Sequence, residues 1–283
     1  MSNLQVVVCG AQGKMGREAV RSVYHDPDTQ LVGAVDVTGE GEDIGEACLG
    51  HPIGILIINN LEDALSTTGP QVLVDFTSPA AVKDNIFQAL SNGVIPVVGT
   101  TGLSAEDFRD IEEWTREYQR GAIIVPNFAV GAVLMMKFAR MAARFFSHAE
   151  VVELHHDGKL DAPSGTALKT AEQIRETWES TQEEEEAELE EEEAPDPEEA
   201  KKAEEKVEGA RGGIHQGVHV HSVRLPGLVA HQEVILGGSG QTLTIKHDSL
   251  DRSSFMPGLL LAIKKAPEVQ GLVYGLEHLM ELE

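Results

Sequence analysis

Positive charge is scarce in this 283-residue chain. Its 22 lysines and arginines face 47 aspartates and glutamates, a formal net charge of −25. With no basic stripe to neutralise phosphates, nucleic acid is not an expected partner. Cysteine is rarer still. Cys9 and Cys48 are too few for a disulfide scaffold, and Cys9 lies in an apolar, strand-like run. No apolar run reaches the length that spans a bilayer. The opening Met1-Ser2-Asn3-Leu4-Gln5 lacks the basic and apolar regions of a signal peptide. These absences predict a soluble, cytoplasmic protein of a reducing compartment, with no membrane partner.

Glycine and apolar residues are plentiful. A hydrophobic fraction of 41% with 28 glycines suits a globular α/β chain with many turns. The acidic excess is uneven. Between Glu179 and Glu208 stand 16 acidic and 3 basic residues, net −13, so the remainder carries −12. Such a like-charged tract is read as a solvated helix or a loop, and Pro195 and Pro197 interrupt any single helix. It is expected to be a peripheral insertion without site residues.

The first half alternates strand-like and helical runs. Strands are predicted at Gln5 to Cys9, Leu31 to Val35, Val72 to Asp75, Pro96 to Val98 and Ala122 to Val125. Helices are predicted up to about Tyr24, from about Ala80 to Leu90 and from about Ser104 to Glu117. That alternation indicates a doubly wound parallel sheet, with ligands at its carboxyl edge. Beyond Asn127 the pattern changes. A helix is predicted from Val130 to Phe146, a strand from Val151 to Leu154 and a helix from Thr166 to Trp178. Alternations follow at Val218 to Val223, His231 to Leu236 and Gln241 to His247, best fitted by antiparallel strands. Turns are expected at Pro226-Gly227 and at Gly237-Gly238-Ser239-Gly240, and a last helix from about Ser253 to Lys265. The expected organisation is a dinucleotide-binding domain over 1–128, completed by about 248–283. A second α+β domain spans 129–247 with a mostly antiparallel sheet, interrupted by the acidic insertion at about 179–208.

Gly10-Ala11-Gln12-Gly13-Lys14-Met15-Gly16 occupies the first strand-to-helix turn. Glycine there lets a backbone approach a pyrophosphate at a helix N-terminus. Asp36 ends the second strand, 20 residues past Gly16, placed to accept from a ribose hydroxyl. Ala11 stands where the commonest fingerprint has its first glycine. A tight turn that binds nothing is the plainer alternative, but strand, helix and acid all sit at the distances a dinucleotide site needs. Asp36 repels a 2′-phosphate, Val37 offers no cation and Lys14 could compensate, so NADH and NADPH both remain open.

The segment Glu153-Leu154-His155-His156-Asp157-Gly158-Lys159-Leu160-Asp161-Ala162-Pro163-Ser164-Gly165-Thr166 says most about chemistry. Pro163 cannot continue a preceding helix, and Ser164 and Thr166 can cap free amides. Those amides form an anion site. His155 and His156 can carry protons near neutrality, and Lys159 supplies a cation. Each piece alone fits a plain strand end or cap; together they suggest a pocket that grips an anion and delivers a proton. His215, His219 and His221 share a strand face by alternation, but no cysteine or carboxylate completes a zinc set, so no metal is expected.

These segments resemble the dihydrodipicolinate reductase (4-hydroxy-tetrahydrodipicolinate reductase) family of lysine and diaminopimelate biosynthesis. The resemblance spans nearly the whole chain outside the acidic tract. It rests on Gly10 to Gly16, Asp75 to Pro79, Gly99 to Gly102, Pro126-Asn127-Phe128 and, most specifically, Glu153 to Thr166. It implies an NADH- or NADPH-dependent oxidoreductase of a cyclic dicarboxylate, assembled as a homotetramer through the second domain's sheet. It implies that Gly10, Ala11, Gln12, Gly13, Lys14, Met15, Gly16, Asp36, Gly99, Thr100, Thr101, Val125, Pro126, Asn127 and Phe128 hold the cofactor. His155 and Lys159 would be the catalytic donors, and His156, Lys159, Ser164, Gly165 and Thr166 the substrate ligands. Some members carry arginine where this chain has Val37, and the acidic tract is outside the family core. The competing readings are another two-domain nicotinamide-linked dehydrogenase, which leaves Glu153 to Thr166 unexplained, and a non-catalytic dinucleotide sensor, which the intact His155 and Lys159 oppose.

Overall fold

A computed structural model describes residues 3–188 and 205–281. The heart of the acidic tract, 189–204, lies outside the described residues. The chain divides into two compact units, one of Met1–Val130 with Arg252–Glu283, the other of Gly131–Asp251.

The first unit is a parallel sheet with helical crossovers. Strand β1 (Leu4–Cys9) turns through the glycine segment into α1 (Lys14–His25), whose Gly16, Ala19, Val20 and Val23 recur at helical spacing and are buried. The chain continues through β2 (Thr29–Val35), α2 (Ile44–Leu49), β3 (Ile57–Ile58), α3 (Leu61–Thr68), β4 (Val72–Asp75), α4 (Val82–Ser91), β5 (Ile95–Val98), α5 (Ala105–Glu117) and β6 (Ala122–Ile124). Val6, Val7, Val8 and Cys9 are buried in succession, as a strand covered on both faces requires. Ser104 and Asp107 form a reciprocal capping box that starts α5. Between Val37 and Gln71 the sequence pattern had marked no element. The two-residue β3 and six-residue α2 are too short to show periodicity.

The second unit opens with α6 (Val130–Ala143), which stops short of the expected Phe146. Strand β7 (His148–His155) starts earlier than expected and carries His155 as its last residue. Helix α7 (Gly165–Glu188) runs ten residues past the expected Trp178, into the acidic tract. Then come β8 (Gly213–His215), β9 (Val218–Arg224), β10 (Ala230–Gly238) and β11 (Gln241–Ser249). The order is β11-β10-β7-β9-β8. Every neighbouring pair is antiparallel except β7 and β9, which run parallel because α7 crosses between them. Gly237 and Gly238 belong to β10, and the hairpin to β11 turns on Ser239-Gly240 alone, because Gly238 pairs directly with Gln241.

The chain then re-enters the first unit through a short 3-10 turn, α8 (Met256–Lys265) and β12 (Leu272–Tyr274). The full parallel sheet is ordered β12-β6-β5-β4-β1-β2-β3. Lys264 Nζ lies 2.8 Å from both Asp26 and Asp28, fastening α8 beside the end of α1. The strand order reverses between β1 and β4, which is where open α/β sheets form a ligand crevice. No helix among the described residues is long and apolar enough to cross a membrane.

Candidate active site

At that reversal the carboxyl ends of β1, β2 and β4 enclose a cleft of about 970 Å³. Gly10, Gln12, Gly13 and Asp36 line it, as does Cys9, whose thiol pKa is pushed up by burial. Two glycines shape the turn. Gly10 has φ +77, and a Cβ there would meet the Phe76 carbonyl oxygen at 2.4 Å. A Cβ on Gly16 would meet the Gly10 carbonyl oxygen at 1.9 Å, so the helix start can pack on the turn only without a side chain. No side chain caps α1 at Gly13, and no acid occupies its first turn. Its leading amides are thus left for an anion, the condition a dinucleotide pyrophosphate needs. Asp36 is held in place: Oδ2 accepts from the Gln12 amide at 2.8 Å, and Oδ1 from the Thr38 amide at 3.0 Å and hydroxyl at 2.8 Å.

The remaining residues expected to hold a cofactor lie outside that lining. Ala11 and Gly16 are buried behind the turn, and Lys14 is exposed at the start of α1. Met15 is half-buried in the same helix. Gly99, Thr100 and Phe128 gather around Phe76 and Asp75. The Phe76 and Phe128 rings meet edge to face at 5.8 Å, and a Cβ on Gly99 would strike the Phe76 ring. Asp75 is fully buried and accepts from the Thr77 amide and hydroxyl, the Thr100 hydroxyl at 2.6 Å and Asn85 Nδ2 at 2.7 Å. It thereby ties the loop after β4 to the loop after β5. Val125 donates to the Val98 carbonyl, and Asn127 Oδ1 accepts from the Ala129 amide. Thr101 and Pro126 are exposed. Cleft residues missing from the sequence-based set include Thr77, Ser78, Asn85 and Asn60. For Thr77 and Ser78 the signal was the polar cluster closing the Val72–Asp75 strand; Asn60 caps α3 and Asn85 lies inside α4, where no pattern marked them.

In the second unit, alternation along β7 turns Ala149, Val151, Glu153 and His155 toward α7. Glu153 is fully buried. Arg224 grips it through both terminal nitrogens, at 2.8 and 2.9 Å. His155 Nδ1 lies 2.5 Å from Glu153 Oε2, and the Ser164 amide donates to Oε1 at 3.3 Å. Burial raises the Glu153 pKa, but hydrogen bonds from Arg224, Ser222 and His155 outweigh it and the net shift is downward. Burial also lowers the His155 pKa, against the opposing pull of Glu153. Ser164 is buried and caps α7 by accepting from the Ala167 amide at 3.3 Å. Thr166 is not a cap: it sits inside the first turn, where its carbonyl accepts from the Thr170 hydroxyl. Gly165 is exposed at the helix start and His156 is exposed just beyond β7. Lys159 Nζ pairs with both oxygens of Asp161, at 2.7 and 2.9 Å, and holds the Asp161 carboxyl below its usual range.

His215, His219 and His221 do not share a face. His215 lies on β8 opposite Val218, on the α7 side, where it meets Glu172 at 2.9 Å. His219 and His221 alternate with Val218 and Val220 and face the other way, and His221 meets Glu150. The turn Gln216-Gly217 separates His215 from β9, which carries the other two.

Comparison with known proteins accounts for both units. Residues 4–128 match the family model described as Dihydrodipicolinate reductase, N-terminus, and residues 131–280 the one described as Dihydrodipicolinate reductase, C-terminus. A 4-hydroxy-tetrahydrodipicolinate reductase of Desulfitobacterium hafniense is 49% identical over 282 residues, covering 99% of this chain and all of that protein. One of Moorella thermoacetica is 49% identical over 281 residues, covering 99% of each. The solved structure of dipicolinate-bound dihydrodipicolinate reductase from Paenisporosarcina sp. TG-14 superposes with a TM-score of 0.82 at 41% identity, covering 98% of this chain and all of that one.

Proposed function

The chain belongs to the dihydrodipicolinate reductase family, and from that premise we propose which of its residues perform the reaction. It is an NAD(P)H-dependent reductase of lysine and diaminopimelate biosynthesis, converting 4-hydroxy-tetrahydrodipicolinate to tetrahydrodipicolinate. The equation balances with one hydride, one proton and loss of the 4-hydroxyl as water. The nicotinamide, when bound, supplies the hydride from its C4. The first unit is the cofactor domain, taken as 1–128 with about 248–283. Its bare α1 N-terminus and fixed Asp36 carboxylate fit a pyrophosphate and a ribose. Gly99 and Phe128 pack on Phe76, which lines the cleft, and with Thr100, Thr101 and Val125 to Asn127 they are assigned to the cofactor's other side.

The second unit, Gly131–Asp251, read from the sequence as a domain over 129–247, receives the cyclic dicarboxylate. The amides of Gly165 and Thr166 and the Ser164 cap grip one carboxylate at the N-terminus of α7, with His156 and Lys159 beside it. Hydride addition places negative charge on the ring, which a proton must neutralise. His155 and Lys159 deliver and stabilise that proton. The observation that carries this assignment is the convergence of His155, the loop of Lys159 and Asp161, and the capped start of α7 on the Glu153–Arg224 pair. The protein works in the cytoplasm as a homotetramer, without nucleic acid. The tetramer is supported by the sheet face opposite α7, where Val152, Leu154, Val223 and Ile235 stay only half-buried. The test is nicotinamide oxidation with substrate made in situ by the preceding synthase, together with light scattering of the eluting protein. No turnover by folded protein, or a monomer in solution, would refute the corresponding statement.

A further inference from the structure

We propose that Glu153 is a positioning residue of this reductase: its buried carboxylate fixes the tautomer and orientation of His155 and, with Arg224, pins the Lys159 loop to the start of α7. The proposal rests on the reading of His155 as proton donor. A glutamate at a core-facing strand position needs partners, and those of Glu153 come from three parts of the site: His155 on β7, Arg224 and Ser222 on β9, and Ser164 at the start of α7. Arg224 reaches across from β9 with Nη1 at 2.9 Å and Nη2 at 2.8 Å. Arg224 Nη2 also donates to the Asp161 carbonyl at 2.7 Å, two residues from Lys159. Ser164, the cap of α7, donates its amide to Glu153 Oε1, and His155 engages Oε2 through Nδ1. One carboxylate thus joins the donor histidine, the lysine loop and the anion-gripping helix.

The consequence for His155 follows from the imidazole's two nitrogens. A carboxylate acceptor at Nδ1 keeps a proton there in the neutral ring, which leaves Nε2 as the atom that takes up and releases the transferred proton. Without that acceptor the neutral ring loses the contact that selects one tautomer and fixes its orientation. The charged groups facing His155 are Glu153 on its own strand, Arg224 on β9, and Lys159, itself paired with Asp161, on the loop. Glu153 is the anion in direct contact with the ring. Removing its charge leaves Arg224 and Lys159 to disfavour the imidazolium, so His155 gives up its proton at lower pH.

The experiment compares parent, Glu153→Gln and Glu153→Asp over a pH series, with NADH affinity read by fluorescence and assembly by light scattering. Glu153→Gln is expected to lower kcat by about tenfold or more and to move the alkaline limb of kcat/KM to lower pH, with NADH affinity unchanged. Glu153→Asp, which keeps the charge, is expected to restore the limb and part of kcat. An unmoved limb with kcat within about threefold of the parent in assembled Glu153→Gln overturns the proposal. So does equal loss in both variants with no limb movement, the pattern of a merely structural ion pair. Should Glu153→Gln fail to fold, selective 15N-histidine spectra of the intact parent decide, with His155→Asn assigning the resonance. At about pH 8, where the ring is neutral, protonation at Nδ1 is expected, and protonation at Nε2 overturns the proposal. The tautomer is read without turnover, so an inactive parent would sink the assignment of His155 as donor while leaving this test intact.

Discussion

Lys159 is held by Asp161 through both carboxylate oxygens, so the cation expected to meet the substrate already has a partner. Asp161 is exposed, and an exposed pair of this kind is weak enough for a bound dicarboxylate to compete for the ammonium. Lys159→Ala is expected to lower kcat by roughly two orders of magnitude, the range lost with a positioned donor. NADH affinity should hold, because Lys159 lies in the second unit, outside the glycine turn. Unchanged turnover would remove Lys159 from the reaction. The pH dependence follows from His155. Burial holds its pKa below the ordinary imidazole value in the free protein. A proton donor must be charged to act, so kcat/KM should fall as pH rises through that lowered pKa. A bound dicarboxylate favours the imidazolium, so the limb seen in kcat, which reports the complex, should lie at higher pH than the limb in kcat/KM. Coincident limbs, or the reverse order, would show that His155 is not the titrating donor.

Elements rather than single residues decide the cofactor. The chain's alternation of strands and helices made the parallel sheet legible, and the glycine turn with Asp36 marked the edge where the cleft opens. What stayed hidden has physical reasons. Strands β3, β8 and β12 have only two or three residues, too few to show a period. The parallel pairing of β7 with β9 depends on where α7 crosses, which local pattern does not record. Glu153 and Asp75 read as polar strand ends, and only burial reveals them as hubs; the available signal was an acid in phase with Ala149 and Val151. The structure also refines cofactor preference. Lys14 is exposed and outside the cleft lining, whereas Val37, 91% exposed, lines it beside Asp36. Val37→Arg should raise the NADPH-to-NADH ratio of kcat/KM by about tenfold, near the 1.4 kcal/mol of one charge-assisted contact. Lys14→Ala should move that ratio by less than about threefold, the scale of an exposed charge. A larger effect from Lys14 than from position 37 would mean the 2′-phosphate lies toward α1 rather than at the end of β2.

At the scale of the whole molecule the acidic tract is the outlying feature. Ala167, Ala171 and Ile174 anchor the first part of α7, and Trp178 donates from its indole to the Phe146 carbonyl at 2.7 Å. On the far side, Glu205 accepts from the amides of Gly209 and Arg211, shaping the turn that leads into β8. A deletion that respects both anchors therefore runs from Gln182 to Glu204, closed by a short glycine-serine linker. It removes 13 acidic and 2 basic residues, and none of the proposed site residues. Activity should stay within a few-fold of the parent, since a tract of that composition has too few apolar residues to supply a core. The electrostatic consequence should be larger than the catalytic one. In the proposed tetramer four such tracts would repel one another and the acidic remainder of the protein, and salt would screen that repulsion. The melting temperature of the parent should therefore rise more steeply between low and moderate salt than that of the deletion protein. Parallel salt dependence in the two would show that the tract's charge is already neutralised by a partner surface. Lost substrate or cofactor binding in a folded deletion tetramer would place the tract at the site itself.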